Sequence, residues 1–190
     1  GQCLWNLEGH RAALFSVAFS PDGALVATTS KDLTGRLWSS ESGKCSQTLI
    51  GHSNALYYAE FSPRGDLVVT ASYDATAKLW SSSSGECLRT LEGHHSAVYW
   101  ATFSPEGDVI ATTSRDSTAK LWNVECGKCL HSLEGHRTIV YCANFSSDGE
   151  LVITAGGDRV ARLWSRSSGA CLQTYDSHSG VVGSAIFSPG

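Results

Sequence analysis

The amino-acid sequence predicts an all-β chain folded as a β-propeller, with four complete four-stranded blades and partial strands at both ends. Three observations carry this. The chain repeats itself at a shift of 42 residues without insertion or deletion. Each repeat holds four short runs of strand composition separated by turn residues. No ten-residue window spaces its apolar residues as a helix does. Short strands recurring in fours at this period describe the blades of a radial β architecture.

The register is read from five series. Gly-His recurs at Gly9-His10, Gly51-His52, Gly93-His94 and Gly135-His136, with Ser177-His178 as a fifth copy. Phe19, Phe61, Phe103, Phe145 and Phe187 form the next series. Asp32, Asp74, Asp116 and Asp158 follow, then Trp38, Trp80, Trp122 and Trp164. Cys3, Cys45, Cys87, Cys129 and Cys171 complete the set. Residues 43–84 and 85–126 are identical at 22 of 42 positions, so the units are copies of one design and no linker divides unlike domains. The boundaries are 1–42, 43–84, 85–126, 127–168 and a partial unit 169–190, all within one domain spanning 1–190.

The second unit justifies the elements in order. Leu56-Tyr57-Tyr58-Ala59-Glu60-Phe61 is a short aromatic-rich strand. Ser62-Pro63-Arg64-Gly65-Asp66 is a turn, with Pro and Gly supplying the dihedrals it needs. Leu67-Val68-Val69-Thr70-Ala71-Ser72 is a β-branched strand, Tyr73-Asp74-Ala75 a tight connection, and Thr76–Trp80 a third strand. A Ser-rich turn leads to the fourth, Cys87–Leu91.

Composition narrows the function classes. Hydrophobic residues make up 42% and charged residues 17% of the chain, a globular balance. The formal net charge is −4, which argues against nucleic acid as a partner, since phosphate binding needs clustered Lys and Arg. No apolar run reaches the ~18 residues of a membrane span, so no membrane partner is expected.

Units of this length with Gly-His near the start and Trp near the end resemble the WD-repeat (WD/GH) β-propeller family, and the resemblance covers the whole chain. It departs in one respect: the Asp after the Trp is replaced by Ser39, Ser81, Asn123 and Ser165. The resemblance implies buried hydrogen-bonded tetrads of His, Thr or Ser, Asp and Trp. Carried over, these are His10, Thr28, Asp32 and Trp38; His52, Thr70, Asp74 and Trp80; His94, Thr112, Asp116 and Trp122; and His136, Thr154, Asp158 and Trp164. Ser30, Ser72 and Ser114 compete with the threonines for the hydroxyl role, and Gly156 in the fourth unit favours the threonines.

Recurring identically in every unit, these groups read as structural. Catalysis needs one asymmetric constellation, and no nucleophile elbow, phosphate-binding loop or zinc-protease helix is present, so a non-enzyme is expected with no cofactor and no metal. The seven cysteines include Cys126-Gly127-Lys128-Cys129, but Cys129 belongs to the repeat register and Cys126 stands where Ser42, Ser84 and Ser168 stand. No second pair completes four zinc ligands. This cysteine usage suits a reducing compartment, cytoplasm or nucleus.

The resemblance further implies a scaffold that binds other proteins through its top face. The alternative is a ligand-binding or regulatory propeller attached to a catalytic or signalling domain outside this chain. Positions five and six after each His, and the one before each Asp, are where the family exposes top-face side chains. They read Phe15, Ser16 and Lys31; Tyr57, Tyr58 and Tyr73; Tyr99, Trp100 and Arg115; and Tyr141, Cys142 and Gly157. Tyr57, Tyr58, Tyr73, Tyr99, Trp100 and Arg115 are the expected partner-binding set, of residue types enriched at interaction hot spots. The recurring aromatic at position five equally suits packing between units.

At the ends, strand counting places a fourth-type strand at residues 2–7 and a first-type strand at 181–187, each without the other three of its blade. The sequence holds no Met, and Gly1 is not expected to be a native start. The expectation is a segment of a longer propeller, or a self-associating arc, with exposed sheet edges and inter-blade faces.

Overall fold

A computed structural model describes residues 2–188. They form sixteen strands in four antiparallel sheets, each with its strands in chain order. The first sheet holds β1 (Leu14–Phe19), β2 (Leu25–Ser30), β3 (Thr34–Ser39) and β4 (Cys45–Ile50). The second holds β5 (Leu56–Phe61), β6 (Leu67–Ser72), β7 (Ala77–Ser81) and β8 (Cys87–Leu91). The third holds β9 (Val98–Phe103), β10 (Val109–Ser114), β11 (Thr118–Asn123) and β12 (Cys129–Glu134). The fourth holds β13 (Val140–Phe145), β14 (Leu151–Gly156), β15 (Ala161–Ser165) and β16 (Cys171–Tyr175). Among the described residues no helix is long and apolar enough to cross a membrane.

Local chemistry closes the hairpins. Between β5 and β6 the Ser62 N–H reaches the Leu67 carbonyl at 2.9 Å and the Gly65 N–H reaches the Ser62 carbonyl at 2.8 Å. Gly65 has φ 76°, the left-handed region that glycine enters without a Cβ clash. On the opposite end, Leu33, Ala75, Ser117 and Arg159 follow the recurring Asp with φ of 68–70°, which non-glycine residues seldom adopt.

The core lies between adjacent sheets rather than inside any one of them. Leu37 and Leu49 of the first sheet pack with Phe61 and Trp80 of the second. Leu79 and Leu91 of the second pack with Phe103 and Trp122 of the third, and Leu121 and Leu133 with Trp164 of the fourth. Trp38, Trp80, Trp122 and Trp164 are among the largest fully buried side chains. β1 packs on β5, β5 on β9 and β9 on β13, and the series stays open.

The two terminal strands expected from the sequence do not form. Residues 2–7 and 181–187 carry no strand structure. A strand is held by its ladder, and an outer strand without a third, or an inner strand without a second, has no neighbour to pair with. Both segments nonetheless lie where those strands would run. Trp5 packs over Gly43, where an added Cβ would stand 2.8 Å from it, as Gln47, Arg89 and His131 pack over Gly85, Gly127 and Gly169. Val182 is buried against the fourth sheet.

Candidate interaction face and the networks beneath it

In each sheet the start of the inner strand, the second-to-third connection and the end of the outer strand share one end of the blade, here the top. Four buried networks hold that end. In the second sheet His52 Nδ1 lies 2.7 Å from Asp74 Oδ2, and His52 Nε2 lies 2.8 Å from Thr70 Oγ1. Trp80 donates its indole N–H to the same Thr70 oxygen at 2.8 Å. The structure brings the other sets together in the same way. Nδ1–carboxylate distances are 2.8 Å for His10–Asp32, 2.8 Å for His94–Asp116 and 2.9 Å for His136–Asp158. The Nε2–hydroxyl and indole–hydroxyl distances are 2.8 Å in all three, through Thr28, Thr112 and Thr154.

The competing serines have a different task. Ser72 Oγ donates to the Ala55 carbonyl at 2.9 Å and accepts the Asp74 N–H at 3.1 Å, tying the connection down. Ser30 and Ser114 repeat this at Ala13 and Ser96. The Asp also accepts the N–H of the residue after the His, at 2.9–3.1 Å from Arg11, Ser53, His95 and Arg137. Each aspartate thus pins both top loops of its blade.

One member of the network escaped the sequence reading. The Thr two residues after the Asp, Thr34, Thr76 or Thr118, donates its hydroxyl to Oδ1 at 2.6–2.7 Å and its N–H at 2.9–3.0 Å. The signal was its recurrence at the 42-residue shift in three units, with Val160 in the fourth. Burial pushes Asp32, Asp74 and Asp116 upward, but these hydrogen bonds outweigh it and hold all three well below the usual carboxylate range. Burial pulls His94 and His136 down, against the pull of their aspartates.

Above this frame lie four of the six residues of the expected partner-binding set, Tyr57, Tyr73, Tyr99 and Arg115. Each inner strand bulges at the fifth position after the His, so that Phe15, Tyr57, Tyr99 and Tyr141 drop out of the ladder. A bulge re-aims its side chain, and here the rings meet across blades. Centroids lie 5.0 Å apart for Phe15–Tyr57, 5.0 Å for Tyr57–Tyr99 and 6.2 Å for Tyr99–Tyr141. Tyr73 meets Tyr57 edge-on at 6.0 Å, and Arg115 Nη1 donates to the Tyr73 hydroxyl at 3.4 Å. Tyr73 is 41% exposed and Arg115 is exposed.

Tyr58 and Trp100 are placed elsewhere. Their rings stack at 3.9 Å with 21° between planes, half-buried between the second and third sheets. The Tyr58 hydroxyl donates to Glu60 Oε2 at 3.3 Å, while Glu60 Oε1 accepts from Thr102 Oγ1 at 2.9 Å and the Phe103 N–H at 3.0 Å. Glu60 was not singled out by sequence, because Ala18, Thr102 and Asn144 hold its place in the other units. Burial raises its pKa, opposed by those three hydrogen bonds.

The networks offer no reacting group. Thr70 is fully buried and its oxygen already receives the Trp80 N–H. Cys142 is buried, with its thiol pushed up by desolvation, and Cys126 and Cys129 are exposed. Among the described residues no cluster of three or more His, Cys, Asp or Glu is placed to hold a metal.

Four-stranded sheets with a His–Thr–Asp–Trp network in each define a propeller of the WD-repeat class. The family model described as WD domain, G-beta repeat matches residues 1–39, 43–81, 85–123 and 127–165, and the chain belongs to that family. Among curated proteins it is similar to vegetative incompatibility protein HET-E-1 of Podospora anserina, at 49% identity over 41 residues. It is also similar to Protein Mut11 of Chlamydomonas reinhardtii, at 45% over 42 residues. Each match covers 22% of this chain, and only 3% and 11% of those relatives. Repeats of this family are generally non-catalytic scaffolds for protein interaction.

Proposed function

We propose that this chain is a non-catalytic protein-interaction scaffold that captures its partner on the top face. The observation that carries this reading is the aromatic ladder Phe15–Tyr57–Tyr99–Tyr141, flanked by exposed Tyr73 and Arg115. Aromatic and Arg side chains presented on a rigid frame lose little entropy on binding. Tyr58 and Trp100 contribute from below, by fixing the inner strands that carry Tyr57 and Tyr99. The partner is a protein rather than nucleic acid or membrane, a reading supported by the net charge of −4. Seven free cysteines support a reducing setting, cytoplasm or nucleus.

The test is capture of specific partners from a lysate by the folded chain and by two variants. Tyr73→Ala/Arg115→Ala is expected to lose partners that the bottom-face variant Arg64→Ala retains. Undiminished capture by the first variant would retire this face.

A further inference from the structure

Resting on the top-face scaffold reading above, we infer that this face reads a carboxylate: Arg115, with the hydroxyls of Tyr57, Tyr73 and Tyr99 around it, takes an Asp or Glu side chain from an acidic segment of the partner.

The site is built on the second and third sheets, each of which has a sheet on either side within the chain. Arg115 Nη1 donates to the Tyr73 hydroxyl at 3.4 Å, the Tyr73 ring stands edge-on to Tyr57 at 6.0 Å, and Tyr57 lies 5.0 Å from Tyr99. Burial pushes the Tyr57 phenol up, Tyr99 and Tyr73 add to this, and Arg115 opposes it, so the four polar heads share one locality. Among the described residues the tyrosine hydroxyls that the chain itself engages are those of Tyr58 and Tyr73, which leaves the Tyr57 and Tyr99 hydroxyls to donate outward. An ionised carboxylate only accepts hydrogen bonds, and a guanidinium fork beside phenol O–H groups supplies it with donors.

Arg115 has no carboxylate of its own. Its chain neighbour Asp116 is turned beneath the face: Oδ2 lies 2.8 Å from His94 Nδ1 and accepts the His95 N–H, while Oδ1 accepts the N–H and hydroxyl of Thr118. Asp74, beside Tyr73, is engaged in the same way by His52, Ser53 and Thr76. The exposed carboxylates at this end of the two sheets, Glu92 and Glu134, stand out on the rim at the ends of β8 and β12. Among the described residues no carboxylate lies within 4.0 Å of Arg115, nor of Arg11, Lys31, Arg137 and Arg159, the other exposed cations at this end. Lys31 is the repeat mate of Tyr73 and Arg115, which are exposed although both their sheets are flanked, so its exposure belongs to the position in the blade.

The opposite end is acidic, with Asp66, Glu106, Asp108, Asp148 and Glu150 exposed on its turns. An acidic segment is therefore repelled from the bottom and steered to the top, even though the net charge is −4. The single guanidinium among the tyrosines balances a carboxylate, whereas a phosphate dianion calls for an arginine cluster.

Panning a random peptide library on the immobilised chain is expected to recover peptides rich in Asp and Glu. A recovered peptide, fluorescently labelled, should bind the chain and the bottom-face variant Arg64→Ala equally in anisotropy titrations, and bind Arg115→Gln roughly tenfold more weakly. Replacing its acids one at a time by Asn or Gln should single out one whose loss costs nothing further in Arg115→Gln, the signature of a direct pair. Arg115→Glu should turn the selection toward Lys- and Arg-bearing peptides, with circular dichroism and melting unchanged because the side chain is exposed. Peptides without acids that still need Tyr73 and Arg115 would overturn the carboxylate and leave the scaffold reading standing. Peptides indifferent to both residues, or no recovered peptide, would overturn the two together. Phosphoserine that tightens binding in place of the anchoring acid would assign the site to phosphate and overturn the proposal.

Discussion

Trp80 donates its indole N–H to the Thr70 hydroxyl at 2.8 Å, and this contact favours that hydroxyl as a donor to the histidine on its other side. The hydroxyl oxygen is occupied as an acceptor, and His52 Nε2 lies 2.8 Å away. The Lys78 carbonyl, at 3.5 Å, competes poorly for the hydroxyl proton. Thr70 then donates to Nε2, and Nδ1–H donates to Asp74.

The third and fourth networks have a signed pH response. His94 and His136 are held below their ordinary value, so stability is lost as pH falls through the unfolded value of about 6.5 toward the folded one. The depressed aspartates add a second loss as pH falls below about 4. The melting temperature should drop between about pH 7.5 and about pH 5.5. Imidazolium–carboxylate pairs would make it rise, so thermal melts in matched buffers separate the two states. Nitrogen-15 shifts of the imidazoles check the tautomer directly.

Removing a carboxylate orphans everything that points at it. Asp74 accepts from His52, the Ser53 N–H, and the Thr76 N–H and hydroxyl. Asp74→Ala is expected to destabilise by roughly 2–4 kcal/mol, against a much smaller loss for the exposed Asp66→Ala, which gives up only the Ser62 hydroxyl bond. Equal thermal shifts for the two would sink this. The fourth unit supplies a ranking. Asp158 accepts from His136 and the Arg137 N–H and has Arg162 Nη2 at 4.0 Å, a longer contact than the hydroxyl bond that Val160 cannot offer. Asp158→Ala should therefore cost about 1 kcal/mol less than Asp116→Ala in urea titrations.

The repeat made much of this legible. A fixed shift of 42 turns each residue into a column, and a column that alternates with its neighbours declares a strand face. The second unit's strands accordingly lie within one residue of where the sequence puts them. Thr70, rather than Ser72, could be singled out because Gly156 has no hydroxyl to offer. Two kinds of feature stayed hidden. The terminal strands had the right composition but no ladder partner, and partnership is not a property of a segment. Tyr57 and Tyr58 are adjacent in sequence, yet a bulge sends one ring to the top ladder and the other between sheets. Aromatic columns show that rings are present, whereas a single extra backbone residue decides where they point.

The connection after each Asp stores backbone strain. Ala75 has φ 68° with a Cβ present. Left-handed geometry costs an L-residue roughly 1–2 kcal/mol, and glycine loses about 0.5–1 kcal/mol of chain entropy on folding. Ala75→Gly should be neutral to slightly stabilising, whereas Ala75→Val, β-branched in the same geometry, should destabilise by more than 1 kcal/mol, on the order of the left-handed cost. Chemical denaturation of the pair reads the sign, and a valine variant as stable as the glycine one would contradict the assigned conformation.

Glu60 should respond to pH in the opposite sense to the tetrads. Its pKa is raised by burial despite hydrogen bonds from the Phe103 N–H, Thr102 and Tyr58. An acid whose folded pKa lies above its unfolded value binds its proton more tightly when folded. Its contribution therefore worsens as pH rises from the unfolded value of about 4.3 through the folded one. Above its folded pKa the carboxylate is a buried charge, and Glu60→Gln removes it. The Gln carbonyl keeps Thr102 and the Phe103 N–H, and its NH₂ donates to the Tyr58 hydroxyl in place of the bond now received. Glu60→Gln should melt higher than the parent near pH 7, with the gap closing toward about pH 4 as the parent's Glu60 takes up its proton. Subtracting the two melting profiles cancels the histidine and aspartate titrations they share and leaves this carboxyl alone. A gap that stays constant, or widens on acidification, would mean that Glu60 is stabilised as a carboxylate between the second and third sheets.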